Sequence, residues 1–180
     1  MKYNEAKLTE YYKKFSLPKE FRNYVLTEIK KHYAPEEKLE ILEIGNFVLD
    51  FTYDLYNTFN NATITTCDSL HDVMNKPEVI LYFIENFKKM HNRVNLIITN
   101  FQESHVPFKD YYDLTVIDIG QHSNNIIEVL EKLPKSKQIF LLLPLRTESR
   151  RKERNIVLEY LNKNNRNVEI LNNPWVRIYE

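Results

Sequence analysis

The ten residues ILEIGNFVLD (41–50) carry an apolar strand straight into a turn at Gly45, one of only 2 glycines in the chain. Consecutive apolar positions in LEILEIG (39–45) describe a strand covered on both faces rather than one that alternates between core and water. Immediately beyond it, Leu49, Tyr53, Tyr56 and Phe59 recur at helical spacing through residues 48–60. The junction therefore reads as a strand, a tight turn and a helix.

The same unit repeats outward from there. ATITTC (62–67), VNLIIT (94–99), DLTVIDI (113–119) and QIFLLL (138–143) are strand-like, and residues 71–90, 123–133 and 147–163 are helix-like, with a break allowed at Pro77. NVEIL (167–171) and WVRIY (175–179), joined by NNP, read as a hairpin. Upstream, two helices are expected over residues 3–15 and Lys19–Tyr33, with Ser16 as a cap, Pro18 in the first turn and Pro35 as the stop. The chain divides into an N-terminal helical extension (1–34) and a single α/β unit (35–180). Apolar strands alternating with helices imply a mostly parallel sheet covered by helices on both faces, closed by a C-terminal antiparallel hairpin.

Composition narrows the partners. Lys+Arg and Asp+Glu both total 25, so the chain lacks the overall basic excess of a protein that lives on phosphate backbone. IFLLLPL (139–145) is far short of the roughly 20 apolar residues that span a bilayer, so no membrane association is expected. The single Cys67 and a charged, aromatic N-terminus unlike a signal peptide suggest a reducing, cytoplasmic setting.

Ligands of such sheets bind at the carboxyl ends of the strands, near the switch in strand order. The residues there also carry a family resemblance. LEIG (42–45), Asp68 closing the second strand, TNFQES (99–104) and YYDLTVIDIGQH (111–122), in this order and spacing, resemble the class I S-adenosylmethionine-dependent methyltransferases over roughly four-fifths of the chain. The resemblance implies a Rossmann-like methyltransferase fold with a mostly parallel seven-stranded sheet. It also implies S-adenosylmethionine as cofactor and a small molecule or sugar hydroxyl as methyl acceptor.

The cofactor residues implied are Glu43, Gly45, Asn46 and Phe47 on the first loop, Asp68 and Ser69 after the second strand, and Asn100 and Phe101 after the third. Asp118 and His122 are the implied catalytic pair, although the related branch places His three residues after the Asp and here the interval is four. Each residue has a plainer reading. Glu43 could cap the following turn, and Asp68 could cap a helix starting near Ser69. Asn100 suits a turn, Phe101 suits a core, and Asp118 could cap the helix near Ser123. No acidic pair follows the fifth strand and the histidines show no ligand spacing, so no metal site is expected.

The loop departs from the family pattern. Phe47 and Leu49 stand where the second and third glycines are expected, removing conformational freedom and close approach. Phe47 either fills the cofactor's space or packs down and leaves a cleft. This motivates an alternative function: a catalytically inactive, methyltransferase-like binding or scaffold protein in a viral or nucleic-acid-processing complex. RTESRRKERN (146–155) is the one basic cluster, a local route to nucleic acid through residues 146–154 or a solvated helix face with Glu–Arg pairing. The tyrosine-rich N-terminal helices suit a cover for the substrate site or a homodimer interface.

Overall fold

The computed structural model describes residues 17–70, 76–90, 92–103, 105, 108–119, 123–143, 147–172 and 174–179. The elements run α1 (Lys19–Ile29), β1 (Glu40–Ile44), α2 (Asp50–Thr58), β2 (Thr63–Asp68), α3 (Pro77–Met90) and β3 (Val94–Ile98). A 3₁₀ turn (Phe101–Glu103), β4 (Tyr111–Ile117), α4 (Ser123–Lys132), β5 (Lys135–Leu142), α5 (Glu148–Lys163), β6 (Asn167–Ile170) and β7 (Trp175–Tyr179) follow. The expected helix over 3–15, the cap at Ser16 and residues 71–75 lie outside the described residues.

The seven strands form one sheet in the order β3-β2-β1-β4-β5-β7-β6. β1 to β5 pair in parallel, and β7 runs antiparallel between β5 and β6. The order reverses between β1 and β4, which opens the crevice where such sheets take ligands.

Side-chain alternation along β1 sorts two cores. Ile41 joins a cluster with Val25 and Ile29 of α1, Phe51 and Leu55 of α2, Phe83 of α3 and Trp175. Leu42 and Ile44 join the opposite cluster with Ile126 and Val129 of α4 and Val157 and Leu161 of α5. Burial on both faces explains why these strands read as continuous apolar runs.

α1 ends at Ile29, four residues before the expected Tyr33, and Pro18 stands at its N-cap position rather than inside the first turn. The last turn tightens, with Lys31 and His32 N–H donating to the Glu28 and Ile29 carbonyls, and beyond it buried Tyr33 donates its hydroxyl to the Asp113 carbonyl at 2.6 Å. The helix contributes Val25, Leu26 and Ile29 to the first core. The Trp175 indole donates to the Phe21 carbonyl at 3.3 Å, and Arg22 pairs with Asp54 of α2 at 2.7 Å. Among the described residues no helix is long and apolar enough to cross a membrane.

Candidate functional site

The carboxyl ends of β1, β2 and β4 are joined by one close approach. Gly45 sits at φ +88°, and a Cβ there would lie 2.1 Å from the Asp118 carbonyl oxygen. Only glycine tolerates both the dihedral and the contact. On either side the ladder continues, with Gly45 N–H donating to the Cys67 carbonyl and Asp118 N–H to the Ile44 carbonyl, each at 2.9 Å.

The next loop positions correct the expectation drawn from composition. Phe47 and Leu49 adopt φ of 46° and 67°, the left-handed region, despite their side chains. The backbone thus follows a glycine-like path with bulkier residues, at about 1–2 kcal/mol for each. Burial offsets this: Leu49 is fully buried and Phe47 packs, partly buried, against the cluster built by α1, α2 and α3. Of the two packings open to Phe47, the structure has the one directed at the core.

Asp68 clamps the loop. Its Oδ2 accepts from the Phe47 N–H at 2.9 Å and its Oδ1 from the Leu70 N–H at 2.7 Å, so one half-buried carboxylate ties the loops after β1 and β2. Each oxygen keeps accepting capacity beyond that one bond.

Glu43 is the buried member of the group, 1% exposed. Its Oε2 accepts from the hydroxyls of Thr52 on α2 and Thr66 on β2, the latter at 2.7 Å, while its Oε1 has no partner among the described residues. Burial is the main cause lifting its pKa to about 7, helped by the charges of Asp118 and Asp68 and opposed by the two threonines. Asp118, half-buried, is also pushed up to about 7, first by burial of its carboxyl and then by Asp68. Beside them Asn46 is 4% exposed, and among the described residues neither of its amide atoms has a partner. Buried polar atoms without partners are rare and call for a ligand or water. The result is a carboxylate-rich rim lined with spare acceptors, suited to a cationic, hydrogen-bonding ligand. Among the described residues no group of three or more His, Cys, Asp or Glu side chains has metal-holding geometry.

The remaining sequence candidates are distributed as follows. Ser69 is exposed beside Asp68. Asn100, after β3, accepts the Gln102 N–H through Oδ1 at 3.2 Å and so braces the 3₁₀ turn. The Phe101 ring, placed by sequence among the cofactor residues, instead sits 7% exposed in the second core, 5.0 Å from Phe108. His122 lies outside the described residues. The basic segment is split: Lys152 pairs with Glu148 at 3.0 Å in solvent, whereas Arg154 turns inward and is 7% exposed.

Thr52 and Thr66 were absent from the sequence expectations, and Arg154 was expected only as part of the basic segment 146–154. Thr66 had a signal, because pairing β1 and β2 in parallel register sets it opposite Glu43. Thr52 had none, being an ordinary helix residue, whereas Arg154 stands three and seven residues before Val157 and Leu161 on the apolar stripe of the expected helix.

No family model and no curated relative matches the chain. Solved structures match its fold. Precorrin-6y C5,15-methyltransferase from Geobacter metallireducens superposes with a TM-score of 0.67 at 18% identity, covering 93% of this chain and 91% of that one. The Podospora anserina methyltransferase PaMTH1, bound to SAH, gives 0.67 at 15% identity over 93% and 82%. M. capricolum TrmK in complex with the natural cofactor product S-adenosylhomocysteine gives 0.53 at 15% identity over 87% and 67%. This chain has the class I S-adenosylmethionine-dependent methyltransferase fold. Within that methyltransferase fold, Gly45 opens the loop after the first strand and Asp68 closes the second.

Two outcomes follow from this geometry. Leu49→Ala should cost about 2–5 kcal/mol in chemical denaturation, as expected for a buried leucine. Leu49→Gly should cost no more than Leu49→Ala, reversing the usual order because φ is 67°. A glycine variant clearly weaker than the alanine variant would contradict the left-handed loop.

The raised carboxyls set a pH dependence with a definite sign. Between the ordinary carboxyl values of 4.5 and 3.8 and the native values of about 7, the folded state holds protons that the unfolded chain has lost. Stability of the ligand-free protein should therefore fall as pH rises from about 4.5 to about 7.5 and then level, barring other titrations. Glu43→Gln keeps an acceptor for both threonines and should remove part of that decline in melting-temperature profiles. An identical decline in the variant would show that Glu43 is not the titrating group.

Proposed function

We propose that this protein is an S-adenosylmethionine-dependent methyltransferase acting on a hydroxyl of a small molecule or sugar. The observation carrying the proposal is the carboxylate rim of Glu43, Asp68 and Asp118, with its unpartnered Glu43 Oε1 and Asn46 amide, beside a glycine-like loop path. Solved structures of this fold that hold S-adenosylhomocysteine support the choice of ligand.

In this reading Asp68 would receive the ribose hydroxyls through its remaining acceptor capacity, and Asn100 the adenine amino group. Asn46 and Glu43 would face the amino-acid end, where an ammonium would favour the ionised form of Glu43. The sulfonium supplies an activated methyl group, so the protein's own tasks are to place the acceptor and take its proton. Asp118 is the candidate for the second task. Its pKa of about 7 matches the range in which a carboxylate serves as general base, and no hydrogen bond to its carboxyl competes among the described residues. His122 is retained as its candidate partner from the sequence.

Calorimetry with S-adenosylhomocysteine tests the cofactor assignment. Saturable binding should appear, together with about 2.7 kcal/mol of added stability at 100 times the dissociation constant. Asp68→Asn, which keeps one acceptor oxygen, should weaken binding roughly tenfold. No binding at millimolar ligand would move the protein to the alternative reading, a methyltransferase-like binding protein whose loop no longer admits the cofactor.

Asp118→Asn tests the proton-transfer role. In an assay following S-adenosylhomocysteine release with hydroxyl-bearing acceptors, the variant should lose about 10²–10⁴ in turnover. Its S-adenosylhomocysteine affinity should stay within a few-fold of wild type. Full turnover in Asp118→Asn would remove Asp118 from the chemistry.

A further inference from the structure

Arg154 is a buried arginine on a largely exposed, charged helix. It lies on the stripe of α5 that also carries Val157 and Leu161, the positions that face the second core. It is 7% exposed. Its guanidinium offers five N–H donors, yet among the described residues its one hydrogen bond runs from Nη1 to the Leu143 carbonyl, at a long 3.4 Å. Among the described residues no carboxylate answers it, and burial, acting downward, is the one influence on its proton affinity. A buried, unpaired cation costs several kcal/mol, and an apolar residue of similar size would generally be more stable there.

Its location is specific. A helical side chain leans toward the helix N-terminus, so Arg154 reaches back from the second turn of α5 to the residue that follows β5. β4 and β5 are parallel with Ile117 opposite Leu141. Continued by two residues, that register sets Leu143 beside Ile119, one strand over and one residue past Asp118. Strands lie about 4.8 Å apart, so the guanidinium belongs to the same sheet end as Asp118. It reaches that end from the α4 and α5 face, whereas Glu43 and Asp68 serve the side of β1 and β2. An oxyanion is the partner that a planar fork of donors fits best.

We propose that Arg154 is the anion-binding residue of the acceptor site, so that the molecule methylated carries a phosphate or carboxylate group received at the carboxyl end of β5. The naming of the acceptor rests on the methyltransferase reading above; the anion site itself does not. A bidentate contact at this point would hold one end of the acceptor while its hydroxyl lies toward Asp118.

The test compares wild type, Arg154→Met and Arg154→Lys in thermal-shift and calorimetric titrations. Inorganic phosphate and acetate are the probes, at ionic strength held constant with sodium chloride. Wild type should show saturable stabilisation by at least one of the two, and the stronger probe identifies the oxyanion the site prefers. Arg154→Met should bind that probe roughly tenfold or more weakly, the loss expected for a charge-assisted contact. Without anion, its melting temperature should equal or exceed that of wild type. Arg154→Lys should retain part of the response. S-adenosylhomocysteine affinity should be unchanged in both variants.

An equal anion response in Arg154→Met would overturn the proposal. So would a wild type indifferent to both probes combined with a destabilised Arg154→Met, which would make the arginine a structural tie to Leu143. If wild type fails to bind S-adenosylhomocysteine while Arg154→Met still loses the anion response, the anion site stands and the methyltransferase reading falls.

Discussion

The close approach of Gly45 to the Asp118 carbonyl is the constraint on which the rest of the site depends. It brings the end of β1 against the end of β4 at the point where strand order reverses, with no room for a side chain between them. Because the two backbones meet there, the carboxylates of β1, β2 and β4 fall within each other's electrostatic reach. Burial at these strand ends is the main cause raising Glu43 and Asp118, and the charge of Asp68 adds to both. Asp68 fastens the loop that follows from the end of the second strand.

The loop after Gly45 shows how a backbone conformation can outlast the residues that make it easy. Glycine is the low-cost occupant of a left-handed position, but the requirement belongs to the φ angle. Here Leu49 reaches that angle because full burial of its side chain outweighs the steric penalty, and Phe47 because its ring has a core to rest on and its N–H has Asp68 as acceptor. A count of glycines therefore misjudges this loop. The informative quantity is whether each replaced side chain has somewhere apolar to go other than the crevice.

Charge is distributed unequally around the strand ends. Acidic groups gather over β1, β2 and β4, while the buried cation Arg154 stands beyond β4 at β5. A ligand spanning the crevice would meet negative charge at one end and positive charge at the other. Such an arrangement orders two different molecules, or two ends of one, by electrostatics before any hydrogen bond forms. It also explains why formal neutrality over the whole chain says little about what the protein binds.

Much of this architecture was legible in the linear chain. Apolar runs such as ILEI and FLLL could only be strands buried on both faces, and their alternation with helices required a parallel sheet with a terminal hairpin. Gly45 and Asp68 were locatable because strand ends in such a sheet are where ligands bind. What stayed hidden depended on neighbours distant in sequence. The Tyr33 hydroxyl found its acceptor 80 residues away in Asp113, and the Trp175 indole its own 154 residues away in Phe21. Arg154 read as one more charge in a solvated run until the helix phase turned it inward. Local pattern determined the elements and their order, because period and turn chemistry are local. The direction of each side chain at the site was decided by tertiary packing, because burial is a property of everything folded around it.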